Sequence, residues 1–363
     1  MYLVFRGVSW LLGVKLGPIV SAVEIGFEDL RGKIVAIDGY NALFQFLSII
    51  RQPDGTPLKD SQGRITSHLS GVFYRMVNVL EEGVLPVFVF DGIPPEIKAV
   101  EVERRKEIRT EAAIKYEEAK KAGDLEKAFV YAMQSTSLRK EMVEGAKHLL
   151  DLLGIPSVMA PSEGEAQAAH MAIKGDVWGV VSQDFDSLLH GAPIMVRNLT
   201  ISGRRKVPRK KQYIVVKPEI IEFEKVLSEL EITQEQLIDI GILLGTDFNP
   251  EGVKGVGPKT ALKLIKKHDF LEEALKHLDK EVLFPVDPET IREWFLNPDV
   301  TDDYVLERHE LNFEGIIEYL CDERDFSKDR VNKALEKLTK RKKEIEEEEK
   351  KKKEQTSLDK FFK

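Results

Sequence analysis

The chain has 363 residues, 42% of them hydrophobic, which is enough to bury one large core or two smaller ones. Its single cysteine, Cys321, excludes an internal disulfide, and no apolar run reaches the ~18 residues of a membrane span. The net charge of −8 weakly disfavours a nucleic-acid-binding protein, but Arg204–Lys211 is a local basic cluster that the whole-chain charge averages away.

In the N-terminal part, two apolar runs each end in an acid. Lys33–Asp38 and Pro86–Asp91 have the composition of buried parallel strands. Helices are predicted over Asn41–Ile50 and Thr66–Glu82, with turn signals at residues 52–57 between them. The pattern indicates an α/β core.

Two charged segments follow, Glu96–Ala122 and Asp124–Leu153, and both have helical composition with alternating charge. Such segments are usually solvated faces. Together they predict a large helical insertion between two strands, which a plain βαβ unit does not contain.

A pair of basic residues begins this insertion. Lys98 and Arg105 are seven residues apart, so they share one face of a helix and are placed to clamp a scissile phosphate. The alternative is that Arg105 only pairs with Glu101 one helical turn away.

The central stretch of the chain, residues 160–190, carries four carboxylates in two pairs. Ser162 is predicted to cap a helix whose first turn holds Glu163 and Glu165. The alternative is that Ser162 and Glu165 form only a capping box.

The second pair, Asp184 and Asp186, directly follows the predicted short strand Val177–Ser182. In an α/β fold a strand's carboxyl end and the next helix's amino end face one crevice, so both pairs can meet there. The alternative is that Asp-x-Asp is only a turn.

The C-terminal half is mostly helical after two further predicted strands, Pro193–Arg197 and Gln212–Val216. An apolar helix ends close to a seventh acid, Asp247. The segment Gly252–Thr260 then resembles a hairpin leading into a helix, with Pro258 near its first position. Such a glycine-rich helix start binds phosphate without reading sequence.

Seven acids thus stand at the ends of apolar runs or at helix starts: Asp38, Asp91, Glu163, Glu165, Asp184, Asp186 and Asp247. If they converge, two like charges ~4 Å apart cost about 4 kcal/mol at an effective dielectric of ~20, so cations are required. Oxygen ligands favour Mg²⁺, with Mn²⁺ as a substitute, over zinc. The chemistry they favour is two-metal hydrolysis of a phosphodiester; the alternative is scattered surface acids.

These motifs resemble the structure-specific 5′ nucleases, most closely the archaeal flap endonucleases. The resemblance rests on Val-Ala-Ile-Asp38, Gly63-Arg-Ile-Thr-Ser-His-Leu-Ser-Gly71, Val-Phe-Asp91-Gly-Ile-Pro-Pro, Ala-Pro-Ser-Glu163-Gly-Glu165-Ala, Ser-Gln-Asp184-Phe-Asp186-Ser-Leu-Leu and Leu-Gly-Thr-Asp247. It runs from about Gly13 to the C-terminus.

The resemblance implies an α/β fold with a mainly parallel central sheet flanked by helices, a helical arch and a C-terminal helical DNA-binding region with a helix–hairpin–helix-like turn. The implied segments are an N-terminal nuclease region (13–111), an arch (96–153), an internal nuclease region (130–270) with the glycine hairpin (252–260), a helical region (271–336), a charged tether (337–354) and a sliding-clamp-binding peptide (355–363).

It also implies roles for single residues. Asp38, Asp91, Glu163 and Glu165 would serve one Mg²⁺, and Asp184, Asp186 and Asp247 a second. Lys98 and Arg105 match the catalytic basic pair. Positions that match DNA contacts are Gly13, Phe44 (stacking on the base beside the cut), Arg51, Arg75, Glu163, Gly245, Asp247, Gly255, Gly257 and Lys259. A potassium ion is implied at the hairpin.

Gln355, Leu358, Phe361 and Phe362 fit the spacing of a peptide that binds the sliding clamp (PCNA). The expected function is cleavage of 5′ flaps, with 5′–3′ exonuclease activity, in Okazaki-fragment maturation and long-patch base excision repair. The alternatives are a bubble-cutting repair nuclease and a non-catalytic clamp-binding scaffold. A cytoplasmic monomer acting at the archaeal nucleoid is expected.

Two departures from the family concern the start of the chain and Ile93. The family begins Met-Gly-Val with its glycine near the active site, and Gly13-Val-Lys matches that start. We therefore expect residues 1–12 to be a mis-called extension, with translation starting at Leu12, and not a signal peptide. The family often has a polar residue where this chain has Ile93.

Overall fold

The computed structural model describes residues 14–361, except 202, 207–212 and 279–281. Within these ranges, no helix has the length and apolar content that crossing a membrane would require. Gly13 and Phe362 lie outside the described residues, as do the side chains of Gln355, Leu358 and Phe361.

Nine strands are present in the described part of the chain. They are β1 (Val23–Glu24), β2 (Ile34–Asp38), β3 (Leu85–Phe90), β4 (Ser157–Met159), β5 (Gly179–Val181), β6 (Ile194–Arg197), β7 (Gly203–Lys206), β8 (Tyr213–Val216) and β9 (Glu219–Glu222).

The helices range from one turn to more than nine turns. They are α1 (Gly39–Ile49), α2 (Ser67–Glu81), α3 (Ala99–Lys121), α4 (Leu125–Gln134), α5 (Lys140–Leu152), α6 (Gly164–Lys174), α7 (Asp186–Leu189), α8 (Phe223–Leu230), α9 (Gln234–Leu244), α10 (Pro258–His268), α11 (Leu271–Lys276), α12 (Pro288–Leu296), α13 (Phe313–Ile317) and α14 (Lys328–Phe361).

One seven-stranded sheet organises the molecule, in the order β1-β9-β6-β5-β2-β3-β4. The five strands from β6 to β4 run parallel, whereas β9 is antiparallel to both β6 and β1. The expected mainly parallel sheet flanked by helices is therefore confirmed. Strands β7 and β8 form a separate antiparallel ribbon. Strand β7 contains the first three residues of the basic cluster, and the rest of the cluster, residues 207–211, lies outside the described ranges.

The central strands are buried on both faces because their side chains alternate between two apolar layers. In β2, Val35 and Ile37 face the core formed with α1, α2, α5 and α14, while Ala36 faces the core formed with α6. In β3, Phe88 faces the first of these cores and Val89 faces the second. A third core joins α7 to helices α9–α12.

The insertion differs from the expectation for Asp124–Leu153, which is two helices rather than one solvated segment. Only α3 and α4 pair with each other, through small buried side chains such as Ala112 and Ala128. Helix α5 instead buries Met142 and Leu149 against the main core. The helical hairpin that stands apart from the core therefore ends before α5.

Four strands, β1, β4, β7 and β9, were not expected from the sequence. They have only two to four residues each, too few for a periodic pattern to develop. Strand β9 lies near the start of the segment that was expected to be mostly helical from Lys217 onward, and it extends the sheet because it pairs with β6.

Helix α14 covers the predicted tether and packs against α2. Lys337 pairs with Glu81 at 2.6 Å, and Arg31 pairs with Glu348 at 3.2 Å. The first part of the predicted tether therefore lies on the body of the protein as far as Glu348.

Candidate active site

The seven predicted acids come from separate elements that meet at the carboxyl edge of the parallel strands. Asp38 ends β2, Asp91 follows β3, Asp184 and Asp186 follow β5, Glu163 and Glu165 stand at the start of α6, and Asp247 follows α9. Electrostatic interactions link each of them to at least one of the others or to Lys98.

Glu165, Asp184 and Asp186 form a compact group within the site, in which one carboxylate oxygen from each residue lies within 4.8 Å of the other two. The Ser182 hydroxyl donates to Glu165 Oε1 at 2.7 Å and so orients that carboxylate. Asp184 Oδ1 is buried and has no hydrogen-bond partner among the described residues. Clustered oxygen donors with an unpaired buried atom fit a hard divalent cation.

Burial and mutual repulsion disfavour ionisation across this cluster. Burial, then repulsion from Asp91, raises the pKa of Asp38 to about 7. Burial and neighbouring carboxylates raise the pKa of Glu165, Asp184 and Asp186 well above the usual range. A cation at this position removes that penalty, because an opposite charge favours the ionised form.

Asp38 and Asp91 are oriented by backbone amides at helix starts. Asn41 N–H donates to Asp38 Oδ1 at 3.0 Å, and Gly164 N–H donates to Asp91 Oδ1 at 2.8 Å. A Cβ at position 164 would lie 2.8 Å from Asp91 Oδ1, so this close approach favours glycine. One oxygen of each acid is thereby held in place.

The expectation for Ser162 was wrong. The N-cap of α6 is Glu163, and Ser162 Oγ is buried without a hydrogen-bond partner among the described residues. The reason is that Gly92 and Ile93 donate their N–H groups to the carbonyls of Ser162 and Pro161, which keeps this segment outside the helix. Instead of Ser162, Asp91, which follows β3, accepts the hydrogen bond from Gly164 N–H at the start of α6.

The two basic residues of the insertion converge on Asp247. Lys98 Nζ lies 2.9 Å from Asp247 Oδ2 and also pairs with Glu163. Arg105 pairs with Asp247 and also donates from Nε to Glu101 at 2.7 Å, so its pairing is not with Glu101 alone. The base of the insertion is thus docked onto the carboxylates.

These contacts change the ionisation of the groups involved. Burial opposes a charge on Asp247, but Lys98 and Arg105 outweigh it and hold the pKa of Asp247 below its ordinary value. Burial likewise opposes the charge on Lys98, but Asp247 and Glu163 raise the pKa of Lys98 well above its usual range. Both residues are therefore charged at neutral pH.

The N-terminal side of the site is closed by Val14. Its N–H donates to Asp186 Oδ1 at 3.3 Å, and its side chain is buried. The residue before it, Gly13, lies outside the described residues.

Two residues near Glu163 were missed by the sequence reasoning. Trp294 Nε1 donates to Glu163 Oε2 at 2.9 Å, and His190 Nε2 lies 3.8 Å from the same oxygen. Burial lowers the pKa of His190 to about 4, so its ring is neutral. No local signal reveals either residue, because Trp294 is 131 positions from Glu163 in the chain.

The predicted DNA-contact residues of α1 and α2 differ in their surroundings. Phe44 and Arg75 are half-buried on α1 and α2. Arg51 is engaged within the protein: it donates to the Gly55 carbonyl at 2.8 Å and to Thr136 Oγ1 at 2.6 Å. Arg51 thus ties the loop after α1 to the segment between α4 and α5.

The glycine hairpin forms as expected and leads into α10, with Gly257 as N-cap and Pro258 as first residue. Gly255 and Gly257 have open space where a side chain would stand, and Lys259 is exposed. By contrast, Gly245 has φ +101°, and a Cβ there would lie 2.7 Å from the Pro250 carbonyl oxygen. Gly245 therefore shapes the turn, while the hairpin presents an accessible backbone.

Known proteins have similar sequences over most of this chain. The XPG N-terminal domain matches residues 11–112 and the XPG I-region matches residues 154–247. Flap endonuclease 1 of Staphylothermus marinus is 57% identical, over 91% of this chain and 95% of that protein. Flap endonuclease 1 of Pyrococcus furiosus is 54% identical over the same shares.

Solved structures show the same likeness. Flap endonuclease-1 from Methanococcus jannaschii superposes with a TM-score of 0.70 at 47% identity, covering 91% of this chain and 98% of that one. The catalytic core of Rad2, solved in complex with DNA substrate, superposes with a TM-score of 0.65 at 23% identity, covering 89% of this chain and 97% of that one, which is a likeness of fold.

Proposed function

The chain belongs to the flap endonuclease family and is a structure-specific nuclease, and from that premise we propose that it cuts 5′ flaps where single strand meets duplex by two-metal phosphodiester hydrolysis. We place the reaction at the seven carboxylates. The observation that carries the proposal is the docking of Lys98 and Arg105 onto Asp247, since it places two cations beside the acids that we propose as metal ligands.

The proposed metal ligands are Asp38, Asp91, Glu163 and Glu165 for one Mg²⁺ and Asp184, Asp186 and Asp247 for the other. Glu165 lies beside Asp184 and Asp186 of the second set and also interacts electrostatically with Asp38 of its own set. Bound divalent ions would activate water and stabilise the leaving oxygen of a phosphodiester. Mn²⁺ offers the same hard-cation chemistry and is proposed as a substitute.

Lys98 and Arg105 are proposed to bind the scissile phosphate. Both residues form ion pairs with Asp247; Lys98 also pairs with Glu163, and Arg105 also pairs with Glu101. A phosphate entering the site would compete for the same donors. Cations preorganised in a buried site stabilise developing negative charge more strongly than they would in water.

The α3–α4 hairpin is proposed to be the arch through which the 5′ single strand passes. The N-terminal end of this hairpin is fixed by the ion pairs of Lys98 and Arg105 with Asp247. Its C-terminal end is fixed by the hydrogen bond from Arg51 to Thr136. Phe44 is proposed to stack on the base beside the cut, and Arg75 to touch the DNA.

Downstream duplex is proposed to bind at the hairpin, through the backbone at Gly255 and Gly257 and the side chain of Lys259, with a potassium ion at the hairpin. The open space around these glycines lets a phosphate approach the amides at the start of α10. Gly245 would contribute through the turn it shapes.

The proposed setting is Okazaki-fragment maturation and long-patch base excision repair. The C-terminal residues Gln355, Leu358, Phe361 and Phe362 are proposed to dock into the sliding clamp, from the end of a helix that lies on the protein as far as Glu348.

The test is cleavage of a double-flap DNA labelled on the flap strand, with Mg²⁺ or with EDTA. A second substrate carries a bulky block on its 5′ end. We expect Mg²⁺-dependent incision at the flap junction that the block suppresses. Flap binding without incision would overturn the proposal in favour of a scaffold, and incision of the blocked flap at full rate would overturn the threading arch.

A further inference from the structure

Glu163 is held by two different parts of the chain, one at each oxygen. Its Oε1 pairs with Lys98 at the base of the arch. Its Oε2 accepts a hydrogen bond of 2.9 Å from Trp294 Nε1 on α12. The C-terminal helical region therefore reaches into the carboxylate cluster.

The indole of Trp294 rests on an aromatic support that fixes the direction of its N–H group. It packs edge-on against Phe248, with ring centroids 6.0 Å apart, and Phe248 packs in the same way on Phe295 at 5.9 Å. Lys98 Nζ lies 5.4 Å from the centre of the same Phe248 ring. One buried ring thus supports both partners of Glu163.

His190 does not replace Trp294 as the donor to Glu163. Its Nδ1 lies 3.2 Å from the Phe295 carbonyl oxygen, which can only accept, so Nδ1 carries the hydrogen. The remaining nitrogen of the neutral ring has no hydrogen to donate and lies 3.8 Å from Glu163 Oε2. Among the described residues, Trp294 is the donor at this oxygen.

Helix α12 is itself anchored two residues before Trp294. Arg292 donates to Asp239 on α9 from Nε at 3.0 Å and from Nη2 at 2.8 Å. Asp239 is buried and also accepts from Leu271 N–H at the start of α11. The position of the indole is therefore tied to the helices that surround the glycine hairpin.

We propose that Trp294 is a positioning residue for metal binding, which holds the Glu163 carboxylate in its metal-binding orientation from the C-terminal region. The inference rests on the proposed function in taking Glu163 as a metal ligand. Outer-shell donors to ligating groups typically contribute 10–100-fold in metal affinity or activity.

The test compares Trp294→Phe with Trp178→Phe in the full chain. Phenylalanine keeps an aromatic ring against Phe248 but has no N–H. Trp178 is a matched control, because it lies at the amino end of β5, away from the carboxylates at the carboxyl ends of the strands. Its ring centre lies 5.4 Å from Lys33 Nζ. Mn²⁺ binding without DNA is measured from the EPR signal of the free ion, and flap cleavage is measured against Mg²⁺ concentration.

We expect Trp294→Phe to bind Mn²⁺ about 10-fold more weakly and to need about 10-fold more Mg²⁺ for half-maximal cleavage. Its KM for DNA should be unchanged, and its rate should recover at high Mg²⁺. In a Glu163→Ala background the same substitution should cause no further loss, because the carboxylate it acts on is missing.

Three results would overturn the inference: Mn²⁺ binding by Trp294→Phe equal to that of Trp178→Phe, an undiminished effect in the Glu163→Ala background, or no Mn²⁺ binding by the wild-type chain. Failure of the proposed function gives a different result. Wild-type protein would then leave flap DNA uncut, while Mn²⁺ binding would still depend on Trp294 through Glu163.

Discussion

Arg105, on the second turn of α3, forms an ion pair with Asp247, which follows α9 on the other side of the site. The same guanidinium donates to Glu101, which is buried. Arg105 therefore holds the second turn of α3 against the carboxylates. Lys98 and Arg105 offset part of the negative charge of Asp247, Glu163 and Glu101, whereas Glu165, Asp184 and Asp186 still repel one another.

Replacing Lys98 tests whether these cations act on the phosphate. Lys98→Ala should lower the single-turnover rate of flap cleavage by at least about 100-fold, because a preorganised charge on the scissile phosphate is lost. Flap affinity should change only a few-fold. Lys106→Ala is the control and should cleave like wild type, since Lys106 lies exposed beside Glu103 on α3, the helix that begins directly after Lys98. Equal rates for the two variants would exclude Lys98 from catalysis.

Asp186→Ala should abolish cleavage and leave flap binding intact, because it removes a proposed metal ligand. It should also raise the melting temperature of the EDTA-treated protein, since a buried carboxylate that is repelled by Asp184 and Asp247 is removed. Asp151→Ala, at an exposed position on α5, should change neither property. Retained cleavage in Asp186→Ala would refute the metal assignment.

Much of this site could be predicted from the sequence. Asp38 and Asp91 end apolar runs, and the carboxyl ends of parallel strands share one edge of a sheet, so their convergence follows from the local pattern and the fold class. The family resemblance stated from the motifs is likewise confirmed.

What the sequence could not supply depends on contacts between distant segments. Ser162 has the right local chemistry for an N-cap, but hydrogen bonds from Gly92 and Ile93 hold its segment outside the helix. Helix α5 has a mixed composition, and only packing against the main core reveals which of its faces is buried. Trp294 acts on Glu163 through tertiary structure alone.

The stability of the metal-free protein should depend on pH through Asp38. Its pKa is about 7 in the folded protein, compared with an ordinary value of 3.8, so the folded state binds more protons than the unfolded state between these values. The free energy of unfolding should therefore fall as pH rises from about 4 to about 7. Asp38→Asn should reduce this dependence without abolishing it, because the raised pKa values of Glu165, Asp184 and Asp186 act in the same direction. Mg²⁺ should restore stability at pH 7.

The measurement is urea unfolding in EDTA at several pH values, repeated with Mg²⁺. Asp151→Asn serves as control, because Asp151 is exposed, and it should keep the wild-type pH dependence. A wild-type protein whose stability does not fall over this range would show that Asp38 is not held in a repulsive cluster.

The clamp-binding peptide can be tested apart from the active site. The double variant Phe361→Ala with Phe362→Ala should lose stimulation of flap cleavage by the sliding clamp, since the apolar side chains proposed to enter the clamp are removed. Cleavage without clamp should be unchanged. Lys363→Ala, at the next position, should still respond to the clamp. Full stimulation of the double variant would place the contact elsewhere.

Two glycines near the hairpin should respond differently to alanine. Gly245 has φ +101° and lacks room for a Cβ, so Gly245→Ala should destabilise the protein by about 1–3 kcal/mol. Gly257 has φ −100° and open space, so Gly257→Ala should melt like wild type. If phosphate approaches the amides at the start of α10, the added methyl should still weaken duplex binding several-fold. Thermal melting measures the effect on stability, and a duplex-binding titration measures the effect on DNA affinity. If Gly257→Ala is stable and binds duplex as tightly as wild type, the duplex does not bind at this face of the hairpin.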